Sequence, residues 1–344
     1  MKRLYILTLC SVALASLVFF FKKESPTTIK AGDGLVIPKA WLTNAANSVT
    51  PKKDIRPADQ TFLTYPEWYL VFSPDEQANY FKHRTASTFP FMSHTAQIWE
   101  SYAIVNDQIK DNFPPNGGYQ LMIWVIGTSA SVEYSIKAWY ETVAGRVTDT
   151  HEPLTEEDQF NARFTQAYVD FIKDRPWYEF DFKGQLKFLW STTPFFGDHW
   201  LRKIERKYIL TSELVVKYVY GKLIGLGTDQ VYEEALPTTA VLLDNDSLVN
   251  LPRYDKFNEA ATELAKSGRS FKEIAGNSSA ILITILVPAD HDITFENTQI
   301  IFTQPISSDR RTKRIALTTP VPSLSKLLLE FDARHTVVEH IFDF

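Results

Sequence analysis

Cysteine is nearly absent from the chain: Cys10 is the only one among 344 residues. A single thiol cannot close an intrachain disulfide, and it cannot form a cysteine zinc cluster or a Cys-x-x-Cys redox pair. Glycine is scarce as well, since 13 residues are about half of its usual share of roughly 7%. The P-loop and dinucleotide-binding patterns, which depend on glycine, are both incomplete. We therefore predict no cofactor.

Positive charge is also in short supply. Lys and Arg number 36 against 41 Asp and Glu, which gives a formal net charge of −5. Nucleic-acid-binding proteins are normally basic, so we predict no nucleic-acid partner. What the chain has in quantity is apolar side chains, at 44%, and 14% of its residues are aromatic. This content excludes a disordered chain.

An apolar segment lies at the N-terminus. Two basic residues precede a run from Leu4 to Phe21, and two lysines follow it. At about 1.5 Å per residue, a helix of this length spans roughly 27 Å, close to the thickness of a hydrocarbon core. The pattern predicts a transmembrane anchor over residues 1–23, in a chain that crosses the membrane once.

Two other interpretations of this segment stay open. Residues 13–15, Ala-Leu-Ala, have the small-x-small form of a signal-peptide cleavage site. Cys10 would be the lipidated residue of a lipoprotein, although the bulky Leu9 stands where a small residue belongs. Basic residues flank the run on both sides, so the positive-inside rule is close to a tie. Because a short basic tail usually stays in the cytoplasm, we predict a bacterial inner-membrane protein with the bulk of the chain in the periplasm.

Residues 24–58 have the composition of a basic, proline-containing linker, with Pro26, Pro38, Pro51 and Pro57. Residues 1–58 contain nine Lys and Arg against three acidic residues, so this part carries +6 and the remainder −11. Such a linker can lie on anionic headgroups. Membrane lipid is therefore the predicted partner, and a membrane protein is a second possibility.

Two blocks with different patterns follow. Residues 59–236 show helical periodicity and predict a mainly α-helical, aromatic-rich domain. Residues 237–344 alternate short apolar runs with helical patterns and predict a small α+β domain of ferredoxin-like type. The predicted fold class is α+β, with an N-terminal transmembrane helix, the helical domain and then the α+β domain.

Two patterns in the helical block predict where its helices begin and which way they face. Ser73-Pro74-Asp75-Glu76 is typical of a helix start with Ser73 as the cap. A longer helix after Gly117 carries an apolar stripe from Leu121 to Val143, and Glu133 and Lys137 form an ion pair on its exposed face. Residues 121–126 are apolar all round, so they belong either to the core or to an interface.

No catalytic or metal-binding motif is complete, but potential ligands are scattered through the helical block. They are Glu67, His94, Glu100, Glu133, Asp198 and His199. Brought together by folding, Glu67, His94 and Glu100 would be the catalytic residues of an acid/base or metal-dependent enzyme. Glu67 is the first choice, because aromatic residues surround it and burial would raise its pKa. The metal, if there is one, stays unknown.

The stretch from Trp200 to Tyr208 separates into an apolar and a basic face. Basic residues beside Trp and Tyr are typical of a helix that lies on lipid headgroups. The predicted membrane-interface residues are Trp200, Arg202, Lys203, Arg206, Lys207 and Tyr208. A second basic group, which includes Arg314, is expected in an exposed loop.

These features predict an accessory or interaction protein, rather than an enzyme, that rests on the membrane or on a membrane partner. Two alternatives stay open. One is a metal-dependent or acid/base enzyme with its site in the helical domain. The other is a lipid-binding or apolar-ligand-binding protein whose cavity is lined by residues 121–126.

Overall fold

The structure is a computed structural model that describes residues 29–31, 37–42, 48–149, 154–228 and 238–343. The predicted anchor over residues 1–23, with its signal-peptide and lipoprotein alternatives, lies outside these residues and stays a prediction. In the described part of the chain, no helix combines the length and the apolar character that are needed to cross a bilayer.

The first part of the body is helical. Its helices are α1 (Gln60–Phe81), α2 (Phe91–Ile109), α3 (Gly117–Tyr140), α4 (Glu156–Ile172), α5 (Phe182–Thr192) and α6 (Trp200–Thr228). Helix α3 continues into a π-helical turn, Glu141–Gly145, and a last helical turn, Arg146–Thr148. Helix α4 begins with a capping box in which Thr155 and Asp158 satisfy each other's backbone N–H groups.

Helix α1 begins earlier than its sequence predicts. The Ser73 pattern was expected to start a helix, but Ser73 and Pro74 lie inside α1, which also contains Pro66. Proline disfavours a helix interior because it removes one hydrogen bond, yet fifteen buried residues along α1 offset that cost. The Ser73 hydroxyl therefore points into the protein instead of capping a helix.

The second part combines strands and helices. The strands are β1 (Lys30–Ala31), β2 (Thr238–Leu243), β3 (Leu248–Pro252), β4 (Phe271–Ile274), β5 (Ala280–Pro288), β6 (Gln299–Pro305), β7 (Thr312–Pro320) and β8 (Val337–Ile341), with helices α7 (Asp255–Lys266) and α8 (Leu324–Ala333) between them. One sheet has the order β1-β6-β7-β5-β8 and the other β3-β2-β4, and the paired strands are antiparallel. The predicted α+β class is confirmed, since 57% helix is combined with 17% strand in antiparallel sheets. The ferredoxin-like arrangement stays a prediction.

The two faces of the larger sheet have separate cores. Helices α7 and α8 cover one face, where Phe257, Phe331 and alternate residues of β5, such as Ile283, pack together. Helix α1 covers the other face, where Tyr65 contacts Phe302 and the neighbouring β5 residues, such as Leu282, are buried. The helical part and the strands thus share a core, because the alternation of β5 sends apolar side chains to both faces.

The described parts of residues 24–58 contact this body. Strand β1 adds to the edge of the larger sheet by pairing with β6. The Thr50 hydroxyl donates to Glu273 at 2.8 Å, and the Arg56 backbone N–H donates to the Ala275 carbonyl at 3.0 Å. These contacts fix where the chain leaves the body towards its N-terminus.

Candidate functional site

Two of the predicted catalytic residues have ordinary structural partners. Glu67 on α1 is half-buried and accepts a hydrogen bond from the Tyr119 hydroxyl. Burial raises the pKa of Glu67, although the hydrogen bond from Tyr119 opposes the rise. Glu100 on α2 accepts a hydrogen bond from the Ile29 backbone N–H at 2.9 Å. Glu67 and Glu100 share no partner among these contacts, so the geometry gives no support for a common site.

His94, the third of these residues, lies at the centre of a buried polar cluster. Its Nδ1 is 2.8 Å from Ser73 Oγ and 3.0 Å from the Tyr69 hydroxyl. Its Nε2 is 3.6 Å from Glu76 Oε2, which is beyond hydrogen-bond distance. Ser73 Oγ is also 2.7 Å from the Tyr134 hydroxyl. The order of serine, imidazole and carboxylate resembles that of a hydrolase triad.

Arg314 on β7 joins this cluster to the sheet. Its guanidinium donates to both carboxylate oxygens of Glu339, at 2.5 and 2.6 Å, and lies 3.4 Å from Glu76 Oε1. It also lies 4.6 Å from the centroid of the Phe72 ring. The expectation of an exposed loop at Arg314 is therefore wrong, because two carboxylates neutralise this side chain inside the protein.

Burial sets the protonation of the cluster. It lowers the pKa of His94 to about 3, and the positive charge of Arg314 acts in the same direction. It raises the pKa of Glu76 to about 7, although Arg314 opposes this rise. His94 is therefore uncharged at neutral pH, and its contact with Glu76 is not an ion pair.

Among the described residues, this cluster is enclosed by protein. Ser73 and His94 are both completely buried. Two depressions of the described surface are lined by other residues, one around Asn258 and Glu263 and the other around Ala162 and Asp170, and both are open to solvent. In the described ranges no three His, Cys, Asp or Glu side chains are grouped to hold a metal ion. The cluster thus connects α1, α2, α3 and the larger sheet inside the protein.

Helix α6 has a more unusual arrangement, with its basic side chains inside the protein and its apolar side chains outside. Arg202 and Arg206 are each 1% exposed, whereas Tyr208 is 65% exposed. Lys203 and Lys207 are also buried, while Trp200, Leu201 and Ile204 are exposed. The two faces exist as the sequence indicates, but the expected contact of Arg202, Lys203, Arg206 and Lys207 with headgroups is wrong, because all four lie inside.

Acidic residues on neighbouring elements explain this orientation. Arg202 donates to Asp158 of α4 at 2.7 Å. Arg206 makes a two-point contact with Glu141 of the π-helical turn, at 2.7 and 3.0 Å, and also pairs with Glu205. A buried charge without a partner is strongly destabilising, so these carboxylates determine which side of α6 faces inward.

The π-helical turn fits closely around this ion-pair cluster. The Gly145 carbonyl accepts a hydrogen bond from Arg202 at 3.1 Å. A Cβ atom on Gly145 would lie 2.1 Å from Glu141 Oε2 and 3.0 Å from Arg206 Nη2. A side chain at this position would push the Glu141 carboxylate out of its present place beside Arg206. The π-helical turn thus holds the Glu141 carboxylate beside the Arg206 guanidinium.

Helix α3, like α6, has its apolar side chains on the outside of the protein. The stripe expected from the sequence is exposed to solvent at Leu121, Val125, Thr128, Val132, Ile136, Trp139 and Val143, and the neighbouring Trp124 is exposed as well. No charged residue of this helix and its π-helical turn is exposed between positions 121 and 145. Of the two possibilities for residues 121–126, the structure supports an interface more than a core.

The charges of α3 lie between α3 and α6. The predicted pair of Glu133 and Lys137 is present at 3.0 Å, with the Lys137 side chain mostly buried and the Glu133 side chain 37% exposed. Lys137 also pairs with Glu213 of α6 at 2.9 Å, and Glu133 with Lys217 at 3.1 Å. Lys217 and Glu213 complete the group at 3.0 Å. These four residues form an ion-pair quartet between the helices.

The exposed sides of α3 and α6 meet where the rings of Tyr140 and Tyr208 stack, with their centroids 6.4 Å apart. The α6 part consists of Trp200, Leu201, Ile204, Tyr208, Val215, Val216, Val219, Tyr220, Leu223 and Leu226. In the described part of this helix, Lys222 is the one charged residue that is exposed. We call the exposed apolar residues of α3 and α6 together the apolar face. The exposed rings of Phe195 and Phe196 lie in the loop that leads into α6.

Sequence spacing does not indicate the buried ion pairs that join elements far apart in the chain. Glu76 and Arg314 are 238 residues apart, so no local spacing connects them. The potential ligands Asp198 and His199 are exposed, next to the start of α6. The sequence pattern does separate α3 and α6 into an apolar and a charged face. It does not show which of the two faces points into the protein.

No family model matches the chain, and no curated protein or solved structure was found that matches it.

Proposed function

We propose that this chain is a membrane-anchored accessory or interaction protein whose helical part rests, through the apolar face, on the membrane or on a membrane partner. The observation that carries the proposal is the orientation of α6, in which Arg202 and Arg206 are buried while Trp200 and Tyr208 are exposed. A helix on a water-facing surface normally has the opposite orientation. The apolar face therefore calls for a non-aqueous partner.

The size of the face supports the same proposal. Water-facing monomers rarely expose contiguous apolar patches larger than a few hundred Å². At about 1.5 Å per residue, α3 is about 36 Å long and α6 about 43 Å long, and apolar side chains recur along both. Fully burying an exposed Leu, Val or Ile side chain contributes roughly 1.5–3 kcal/mol, and the partly exposed side chains of this face each contribute a share of that. A partner that covers even part of this face would bind with substantial affinity.

The finer parts of the proposal concern the N- and C-terminal regions. Residues 1–23 would form the transmembrane helix of a bacterial inner-membrane protein, with the body in the periplasm. The sheet and its two helices, for which we propose a ferredoxin-like arrangement, would then be presented beside the membrane to a partner.

A tether-cutting experiment tests the proposal on the full chain. A site for a specific protease is inserted after Glu24, and isolated membranes that hold the protein are treated with the protease and sedimented. We expect the severed body to stay in the membrane pellet because the apolar face holds it there. A control chain with an uncleavable insertion measures losses during handling. Complete release of the severed body into the supernatant would contradict the proposal.

A further inference from the structure

The charge distribution of the apolar face shows which part of a membrane it suits. From position 121 to 145 the exposed residues are apolar, or are Thr and Ser, and α6 adds Lys222 near its C-terminal end. The basic residues that would attract anionic headgroups, such as Arg202 and Arg206, are neutralised inside the protein. Electrostatic attraction therefore has little to act on at this face.

We propose that the apolar face is immersed at the boundary between headgroups and acyl chains of the bilayer, with α3 and α6 lying parallel to the membrane plane. This inference rests on the proposed function and names its partner as the lipid hydrocarbon. Immersion is driven by the removal of apolar surface from water, so it is independent of anionic lipid and insensitive to salt.

The ion-pair quartet of Glu133, Lys137, Glu213 and Lys217 fits this environment. Each of the four charges lies within 3.1 Å of two opposite charges. Paired in this way, the charges of α3 and α6 are satisfied by the protein and need not face lipid.

If residues 4–21 cross a bilayer as proposed, the length of chain between them and Ile29 keeps that bilayer close to the face. The apolar run ends at Phe21, eight residues before Ile29, which is a reach of at most roughly 28 Å. The Ile29 backbone is fixed to Glu100 of α2. On the same helix, the Trp99 ring lies 5.1 Å from that of Trp124, which belongs to the apolar face. A bilayer that holds residues 4–21 thus lies within reach of the face.

Lipid covers the face better than the apolar run itself would. A helix made from residues 4–21 would be roughly 27 Å long, whereas the face follows two helices of roughly 36 and 43 Å. One such helix would fill a single groove and leave the flank of the other helix in water. The Trp and Tyr residues of the face, including Trp139 and Tyr208, are the residue types enriched where lipid meets water.

Single-cysteine labelling tests this inference on the full chain. After Cys10→Ser removes the only cysteine, Ile136→Cys and Val216→Cys place an environment-sensitive fluorophore on the apolar face. Val337→Cys on β8 is the control. The three side chains are 55%, 65% and 57% exposed, so their starting environments are matched. Labelled proteins are reconstituted in neutral phosphatidylcholine vesicles with the body outside, and unchanged melting shows that the labels leave the fold intact.

The expected result is a blue shift of emission at positions 136 and 216, strong quenching by brominated acyl chains, and neither effect at position 337. The signals should persist in about 1 M salt, where the screening length falls to roughly 3 Å. A different outcome is that the labels stay exposed to solvent while native membranes still retain the severed body. This outcome would overturn lipid immersion and indicate a protein partner, and it would leave the proposed function intact. Labels that report lipid only in anionic vesicles would also overturn this inference. Solvent-exposed labels together with release on cutting would defeat both proposals.

Discussion

At the scale of single residues, the body of this protein keeps large charged side chains in its interior. Arg202, Arg206 and Arg314 are among its largest fully buried side chains, and each has a carboxylate partner. The partners of Arg314 come from α1 and β8, so the pairing exists only in the folded chain. The sequence therefore identified His94 as a chemically interesting residue but could not show that its neighbours are Ser73 and Glu76.

The buried imidazole of His94 makes stability depend on pH. Its pKa is about 3 in the folded protein, against about 6.5 when exposed. The unfolded chain therefore binds a proton that the folded protein does not, and stability is lost as the pH falls from about 6.5 towards 3. Replacement by His94→Gln removes this term. We expect the stability advantage of the wild type over His94→Gln to shrink by roughly 2–4 kcal/mol between pH 7 and pH 4.

Melting of the full chain in neutral detergent at several pH values measures this advantage. His291→Gln, at an exposed histidine, controls for the loss of an imidazole in general. Glu76 acts with the opposite sign, since its raised pKa of about 7 removes stability as the pH rises from about 4.5 to 7. Its carboxyl is present in both proteins, so the comparison cancels most of its effect. An advantage that stays constant from pH 7 to pH 4 would show that His94 is not a buried neutral imidazole.

At the scale of elements, the local pattern predicts what an element is but not which side of it is inside. The runs 281–287 and 315–318 are strands because alternating β-branched and apolar residues suit a sheet with two covered faces. Periodicity likewise located α3 and the stretch from Trp200 to Tyr208. It divides a helix into two faces, and the assumption that the apolar face points inward fails when neighbouring elements supply carboxylates, as Asp158 and Glu141 do here.

The orientation of α6 can be tested by removing one buried charge. Arg206→Met keeps much of the side-chain volume but leaves the buried Glu141 without its ionic partner, while Glu205 keeps Arg202. We expect a loss of about 3–5 kcal/mol in unfolding free energy, because an uncompensated buried carboxylate is costly. Lys222→Met, at an exposed position of the same helix, should change it by no more than about 0.5 kcal/mol. Chemical denaturation of both variants makes the comparison, and equal effects would place Arg206 on the surface.

At the scale of the whole molecule, composition and pattern were enough for the α+β class. They were not enough for the common core, in which α1 packs on the strands through contacts such as Tyr65 with Phe302, 237 positions later in the chain. The sequence predicts some residues of the apolar face, but it does not predict how they are used. Its residues around Trp200 and Tyr208 were selected from the sequence, but their role was tied to basic neighbours that fold inward. What joins α3 and α6 into one face is the tertiary pairing of their charges.

The most direct measurement of the central claim is membrane retention of the severed body when a charge is placed on the apolar face. Ile204→Glu puts a carboxylate on the face, and Leu329→Glu puts one on α8, at side chains that are 40% and 42% exposed. Both are combined with the protease site after Glu24. Since each lost apolar contact and each added charge weakens immersion, we expect Ile204→Glu to reduce retention on the order of tenfold. Leu329→Glu should be retained like the wild type, whereas equal retention of the two variants would contradict the account.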